Sequence, residues 1–174
     1  MQQEQTVLFL CTGNSARSIM AEGILRKDGA GRFKAYSGGA EPSYEINPWA
    51  LKTLEAHGYP TDGYKSKKWD EFADPEVYNI DFVFTVCDSA ADEVCRVWLG
   101  QPLTTHWGIS DPAAVKGTDE EISNAFNKAF SFIKIRIDAF LSLDLNALDY
   151  SELKHELNRI GELDGATKKA LMHT

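Results

Sequence analysis

Eight residues near the start of the chain, Cys11-Thr12-Gly13-Asn14-Ser15-Ala16-Arg17-Ser18, place a thiol and a guanidinium at the two ends of a loop of small side chains. An apolar run, Val7 to Leu10, ends at the cysteine, and a helical pattern opens at the arginine. A loop between strand and helix can aim its backbone amides at one anion, and the helix N-terminus adds its dipole. The same field favours a thiolate, the nucleophilic form of cysteine, so a depressed Cys11 pKa is expected. Arg17 can grip a tetrahedral oxyanion with two parallel hydrogen bonds. Nucleophile and oxyanion clamp, Thr12 to Ser18, thus share one loop.

Three further positions could join that chemistry. Asp111 precedes Pro112, which holds it extended, and a carboxyl there could protonate a leaving oxygen. Taken alone, it reads more readily as an ordinary Asp-Pro turn. Cys87 and Cys95 frame a small, acidic segment, Asp88 to Val94, that suits a short helix or a loop. In isolation they are two small hydrophobes, and joining their sulfurs needs a specific fold or a rearrangement. Beside a nucleophilic Cys11 they become a candidate thiol relay. Of the four histidines, His57 suits a helix end and His106 flanks the Asp111 loop; none is assigned catalysis. Trp49, Trp69, Trp98 and Trp107 read as packing anchors.

The elements that must carry these residues alternate. Strands are expected over about 6–10, 33–36 (stopped by Gly38-Gly39), 81–86 and 103–107. Helices are expected over about 17–27, from the Asn47-Pro48 cap to Gly58, and along Ile122, Phe126, Phe130, Ile133, Ile137 and Leu141. Leu153, Leu157 and Ile160 continue at helical spacing. Alternation implies a parallel sheet covered by helices, with ligands bound beyond the strands' carboxyl ends, where Cys11 and Cys87 both fall. At 174 residues one domain is expected, with no secretory signal and no membrane span. A net charge of −8 argues against nucleic acid and anionic membranes as partners. Three cysteines without a signal suggest cytoplasmic thiols, and none shares a zinc spacing with histidine.

The Cys11–Ser18 loop, followed by Met20-Ala21-Glu22, resembles the anion loop of arsenate reductases built on the low-molecular-weight protein tyrosine phosphatase fold. His106-Trp107-Gly108-Ile109-Ser110-Asp111-Pro112-Ala113 resembles their acid loop, and Val86 to Cys95 their second-cysteine segment. The resemblance covers roughly residues 6–140. It implies an α/β, flavodoxin-like four-stranded parallel sheet with helices on both faces, a catalytic domain over 1–140 and a helical extension over 141–174. It implies that Cys11 attacks arsenate, that Arg17 and Ser18 hold the oxyanion, and that Asp111 assists loss of hydroxide. Cys87 then attacks Cys11, releasing arsenite, and Cys95 attacks Cys87. No cofactor is expected to be bound. An external thiol is expected to supply electrons, either thioredoxin or glutathione with glutaredoxin.

The rival is a phosphatase of the same fold, working through a phosphocysteine. It usually carries aromatic residues after the Asp-Pro and a cysteine before the loop arginine; here Ala113-Ala114 and Ala16 stand there. A third possibility, a non-catalytic anion sensor, fits poorly with the full Cys11, Arg17 and Asp111 set. Some relatives bind potassium through Asn, Glu, Ser and an acid. Asn14, Glu22 and Ser37 match, but Lys65-Ser66-Lys67 offers no acid, so no metal is expected.

Overall fold

The computed structural model describes residues 3–97 and 102–172, the side chains of 93–97 excepted. Four strands, β1 (Gln5–Cys11), β2 (Phe33–Gly39), β3 (Phe82–Thr85) and β4 (Leu103–His106), form one parallel sheet in the order β2-β1-β3-β4. Successive side chains of a strand point to opposite faces. Val7, Leu8, Phe9 and Leu10 are all buried, so helices cover β1 on both faces.

The helices are α1 (Arg17–Asp28), α2 (Pro48–Ala56), α3 (Asp88–Val97), α4 (Asp119–Ser142), α5 (Tyr150–Gly161) and α6 (Lys168–Leu171). Asn47 caps α2 by accepting from Trp49 N, with Pro48 at the first position. Thr118 caps α4 and Asp149 caps α5 through a reciprocal capping box with Glu152. Phe84 stacks on Trp107 with centroids 3.8 Å apart, and Phe140 of α4 meets both rings edge-on. Leu157 and Ile160 of α5 belong to the same core cluster. α4 runs on through residue 140.

One expected element differs. β2 continues through Gly38-Gly39 instead of stopping there. A Cβ on Gly39 would lie 2.5 Å from Thr12 O, so the glycine lets the anion loop rest against the strand. Residues 88–97, left open between helix and loop, are helical.

The strand order puts β1 at a topological switch point. The chain passes from β1 outward to β2, then returns to β3 on the other side. A crevice opens at the carboxyl ends of β1 and β3, which is where such sheets bind ligands. Cys11 ends β1, and Cys87 lies two residues beyond β3.

Candidate active site

The loop after β1 is held from outside. Cys11 O accepts from Ala40 N, Thr12 O from Glu41 N, Gly13 O from Ser43 N and Ser15 O from Asn47 N. A planar trans peptide points its N–H opposite its C=O. Anchoring these carbonyls to residues 40–47 therefore turns the amides of Gly13, Asn14 and Ala16 toward the other side of the loop. Asn14 takes a left-handed backbone, φ 45°, and its buried side chain fixes that turn. Its Nδ2 donates to Ser18 Oγ and Ser37 Oγ, each at 2.9 Å, and its Oδ1 accepts from Lys67 N. Ser37 Oγ donates to Glu22 Oε2 at 2.8 Å, and Arg26 pairs with Glu22 Oε1 at 2.8 Å.

Burial pushes the Glu22 carboxyl up against the opposing charges of Lys67 and Arg26 and the Ser37 hydroxyl. Lysine and arginine thus supply the positive charge around this carboxylate. Among the described residues no three His, Cys, Asp or Glu side chains cluster as a metal site.

Arg17 opens α1, at the end where a cation opposes the helix dipole, so helix stability does not explain it. Its Nη1 donates to Ile109 O at 2.9 Å, and its Nη2 lies 3.7 Å from Asp111 Oδ2. Its Nε is buried with no hydrogen-bond partner. The Nε–Nη2 edge is the one that binds an oxyanion bidentately. Asp111 caps the 3-10 turn Pro112–Ala114 by accepting from Ala113 N at 2.9 Å, and its carboxyl is 43% exposed. It is a turn former and also faces the arginine.

Cys11 and Cys87 are both buried and free, and each shifts the titration of the other. Thr12 N donates to Cys87 Sγ at 3.2 Å, and the Thr12 hydroxyl lies 3.4 Å from the same sulfur. The expected thiolate on Cys11 is corrected here. The bond to Cys87 and burial push the Cys11 thiol well up, against Arg17. The Cys87 thiol is pulled down by its bond from Cys11, the Thr12 hydroxyl and the Ala90 backbone amide. Each sulfur shifts the other, so the two titrate as one pair. The Cys95 side chain and residue Trp98 lie outside the described residues.

The pocket, about 350 Å³, is lined by Thr12, Arg17, Cys87, Asp88, Asp111 and Thr167, among others. It brings Cys11's loop, Cys87 and the acid loop together. A larger groove of about 910 Å³ lies at the opposite end of the sheet, near Glu4, Arg32 and Tyr78, and holds none of these residues. Sequence reading missed two contributors, and placed a third, His106, beside the Asp111 loop without assigning it a role. His106 is buried between Thr85 Oγ1 at 2.7 Å and Asp88 Oδ1 at 2.8 Å. The 40–47 segment anchors the loop. Thr167 arrives from far along the chain.

A family model described as low molecular weight phosphotyrosine protein phosphatase matches residues 6–158. An arsenate reductase of Bacillus licheniformis is 37% identical over 79% of this chain and 95% of its own length. One from Bacillus subtilis is 34% identical over 79% and 96%. A solved arsenate reductase in the phosphate binding state is 28% identical, covering 79% of this chain and 97% of its own, with a TM-score of 0.62. A low molecular weight protein tyrosine phosphatase from T. tengcongensis superimposes with a TM-score of 0.65 over 79% of this chain and 98% of its own. At 20% identity it attests the fold alone.

Proposed function

Since this chain belongs to the low molecular weight phosphotyrosine protein phosphatase family, and relatives within it are arsenate reductases, we propose that it is a thiol-dependent arsenate reductase serving arsenic detoxification in the cytoplasm. The observation that carries the reading is that two buried free thiols, Cys11 and Cys87, shift each other's titration beside Arg17, whose buried Nε has no partner. A phosphatase has no use for the second sulfur.

Arsenate docks on the amides of Gly13, Asn14 and Ala16 and on the Nε–Nη2 edge of Arg17. Cys11 sulfur attacks arsenic and hydroxide leaves. The Cys11 proton passes to the oxyanion, and Asp111 assists departure of the hydroxide as water, so Cys87 remains a thiolate. Cys87 thiolate then attacks Cys11 sulfur. The S–As bond breaks, and its electron pair stays on arsenic, taking As(V) to As(III). Arsenite departs after protonation, and a Cys11–Cys87 disulfide remains, the two sulfurs having lost the two electrons that arsenic gained.

Cys95 next attacks Cys87 and frees Cys11. α3 forbids this while folded. Eight residues along a helix span about 12 Å, and a disulfide tolerates roughly 7 Å between Cα atoms. The relay therefore includes local unwinding of α3. An external dithiol such as thioredoxin reduces the Cys87–Cys95 bond, and glutathione with glutaredoxin is the competing donor.

Phosphate-ester hydrolysis is the second reading, favoured by Asp111 beside the clamp. The test is arsenate-dependent oxidation of thioredoxin, or of glutathione with glutaredoxin, run beside hydrolysis of p-nitrophenyl phosphate. Turnover of arsenate with one thiol donor supports the reductase. Ester hydrolysis without arsenate turnover overturns it.

A further inference from the structure

The family model ends at residue 158, yet the pocket wall includes Thr167. The chain reaches the site by a built path. Buried Arg136 of α4 donates to the carbonyls of Gly161, Leu163 and Asp164, at 3.3, 2.8 and 2.9 Å, and so fixes the turn after α5. Gly165 has φ 86°, and a Cβ there would run into the Phe132 ring, so only glycine passes this point. Ala166 then bridges Ile109 in antiparallel fashion, and Thr167 N donates to Gly108 O at 3.0 Å. The Thr167 hydroxyl donates to Asp88 Oδ1 at 2.7 Å and accepts from Ala170 N at 3.2 Å.

Thr167 thereby joins the two walls of the pocket. One wall is the acid loop, whose Ile109 O holds Arg17 and which ends at Asp111. The other is the first turn of α3, where Asp88 follows Cys87 directly. Asp88 Oδ1 takes bonds from His106 and from Thr167. Gly108 must be glycine because a Cβ would overlap both His106 Nε2 and Asp88 Oδ1. On the relay reading of Cys87, we propose that Thr167 is a positioning residue of the C-terminal extension that, through Asp88, sets Cys87 against Cys11 for attack on it. The extension is then part of the active site's support and not a trailing addition.

The test compares Thr167→Val, which keeps volume and loses the hydroxyl, with Thr167→Ser, which keeps the hydroxyl. Formation of the Cys11–Cys87 disulfide is timed by quenching and peptide mapping in two arms, one with arsenate and one with hydrogen peroxide. Peroxide oxidises one sulfur of the pair, Cys87 being the more acidic, to a sulfenic acid, which the other sulfur converts to the disulfide with loss of water, independently of arsenate. Thr167→Val slows disulfide formation about tenfold in the peroxide arm, the scale of a small misplacement of a reacting group. Its affinity for inorganic phosphate, by titration calorimetry, moves less than about twofold on the same grounds, and Thr167→Ser restores the rate. Added to Asp88→Ala, which removes the acceptor, Thr167→Val costs nothing further, because the two act on one path.

The proposal is overturned by a wild-type rate in Thr167→Val, by failure of Thr167→Ser to rescue, or by phosphate affinity falling as far as the rate. It is equally overturned if the wild type forms no disulfide with peroxide. Disulfide with peroxide but not with arsenate rejects the reductase reading alone and leaves Thr167 decided by the peroxide arm.

Discussion

Replacing Arg17 by lysine tests the oxyanion clamp while keeping its charge. In the native pocket Nη1 is committed to Ile109 O at 2.9 Å, and Nε is buried without a partner. The Nε–Nη2 edge therefore offers two parallel charge-assisted bonds to an oxyanion. A lysine ammonium reaches the same space with one direction and has no rigid tie to the acid loop. A hydrogen bond to a charged group contributes about 1.5–3 kcal/mol. Losing one oxyanion bond and part of the pre-organisation gives about 2–4 kcal/mol, or roughly 30- to 1000-fold in kcat/KM for arsenate. Phosphate affinity should fall in parallel, because the ground-state anion uses the same edge. Stability should hold, since a cation at the first residue of α1 opposes the helix dipole in either variant. The assay is steady-state arsenate reduction with the donor found active, beside calorimetric phosphate binding and thermal melting. Arg17→Lys with kcat/KM within threefold of wild type refutes the bidentate clamp.

Asp111→Asn keeps the bond from Ala113 N, so the turn should survive while turnover falls about 10²- to 10⁴-fold; an unchanged single-turnover rate would reduce Asp111 to a turn former. Cys87→Ser should block multiple turnover with arsenate and leave ester hydrolysis intact where the wild type shows it; equal arsenate rates would return Cys87 to packing. Arg136→Met should cost about 1.5–3 kcal/mol in urea unfolding, because it removes the charged donor from the carbonyls of residues 132, 161, 163 and 164; a loss below about 1 kcal/mol, one ordinary hydrogen bond, would deny Arg136 its anchoring role. The Cys87 thiol is drawn down to about 5, so in the native state it has lost a proton that the unfolded chain keeps up to its ordinary value. Stability from this group is therefore full above that ordinary value and is lost as pH falls through about 5. Wild type minus Cys87→Ser stability should rise between pH 5 and the ordinary cysteine value; a flat difference would place the charge elsewhere.

What the sequence disclosed was contiguous. The Cys11–Ser18 loop is legible because one short segment carries the nucleophile, the small residues and the arginine, with a strand before it and a helix after. Asp111 is legible because Pro112 restricts it locally, and Asn47-Pro48 announces α2 through capping chemistry alone. Gly38-Gly39 misleads for the same local reason. Paired glycines read as a stop, whereas here they let Thr12 and Asn14 lie against β2. The Cys11 thiol misleads because its proton depends on a sulfur 76 residues away in the sequence, and no local pattern reports which of two sulfurs collects more donors.

Thr167 was hidden more deeply. Ala166-Thr167-Lys168 has no chemical signature, and its meaning comes from Arg136 and Gly165, which steer the chain back over the acid loop. Arg136 lies in the amphipathic helix α4, yet it is 1% exposed. A buried guanidinium with four carbonyl acceptors holds a segment in place from within, and the segment carries one hydroxyl to Asp88. The chemistry of this fold is thus written locally in its loops. The spacing between the two sulfurs is set by contacts that only the folded chain brings together.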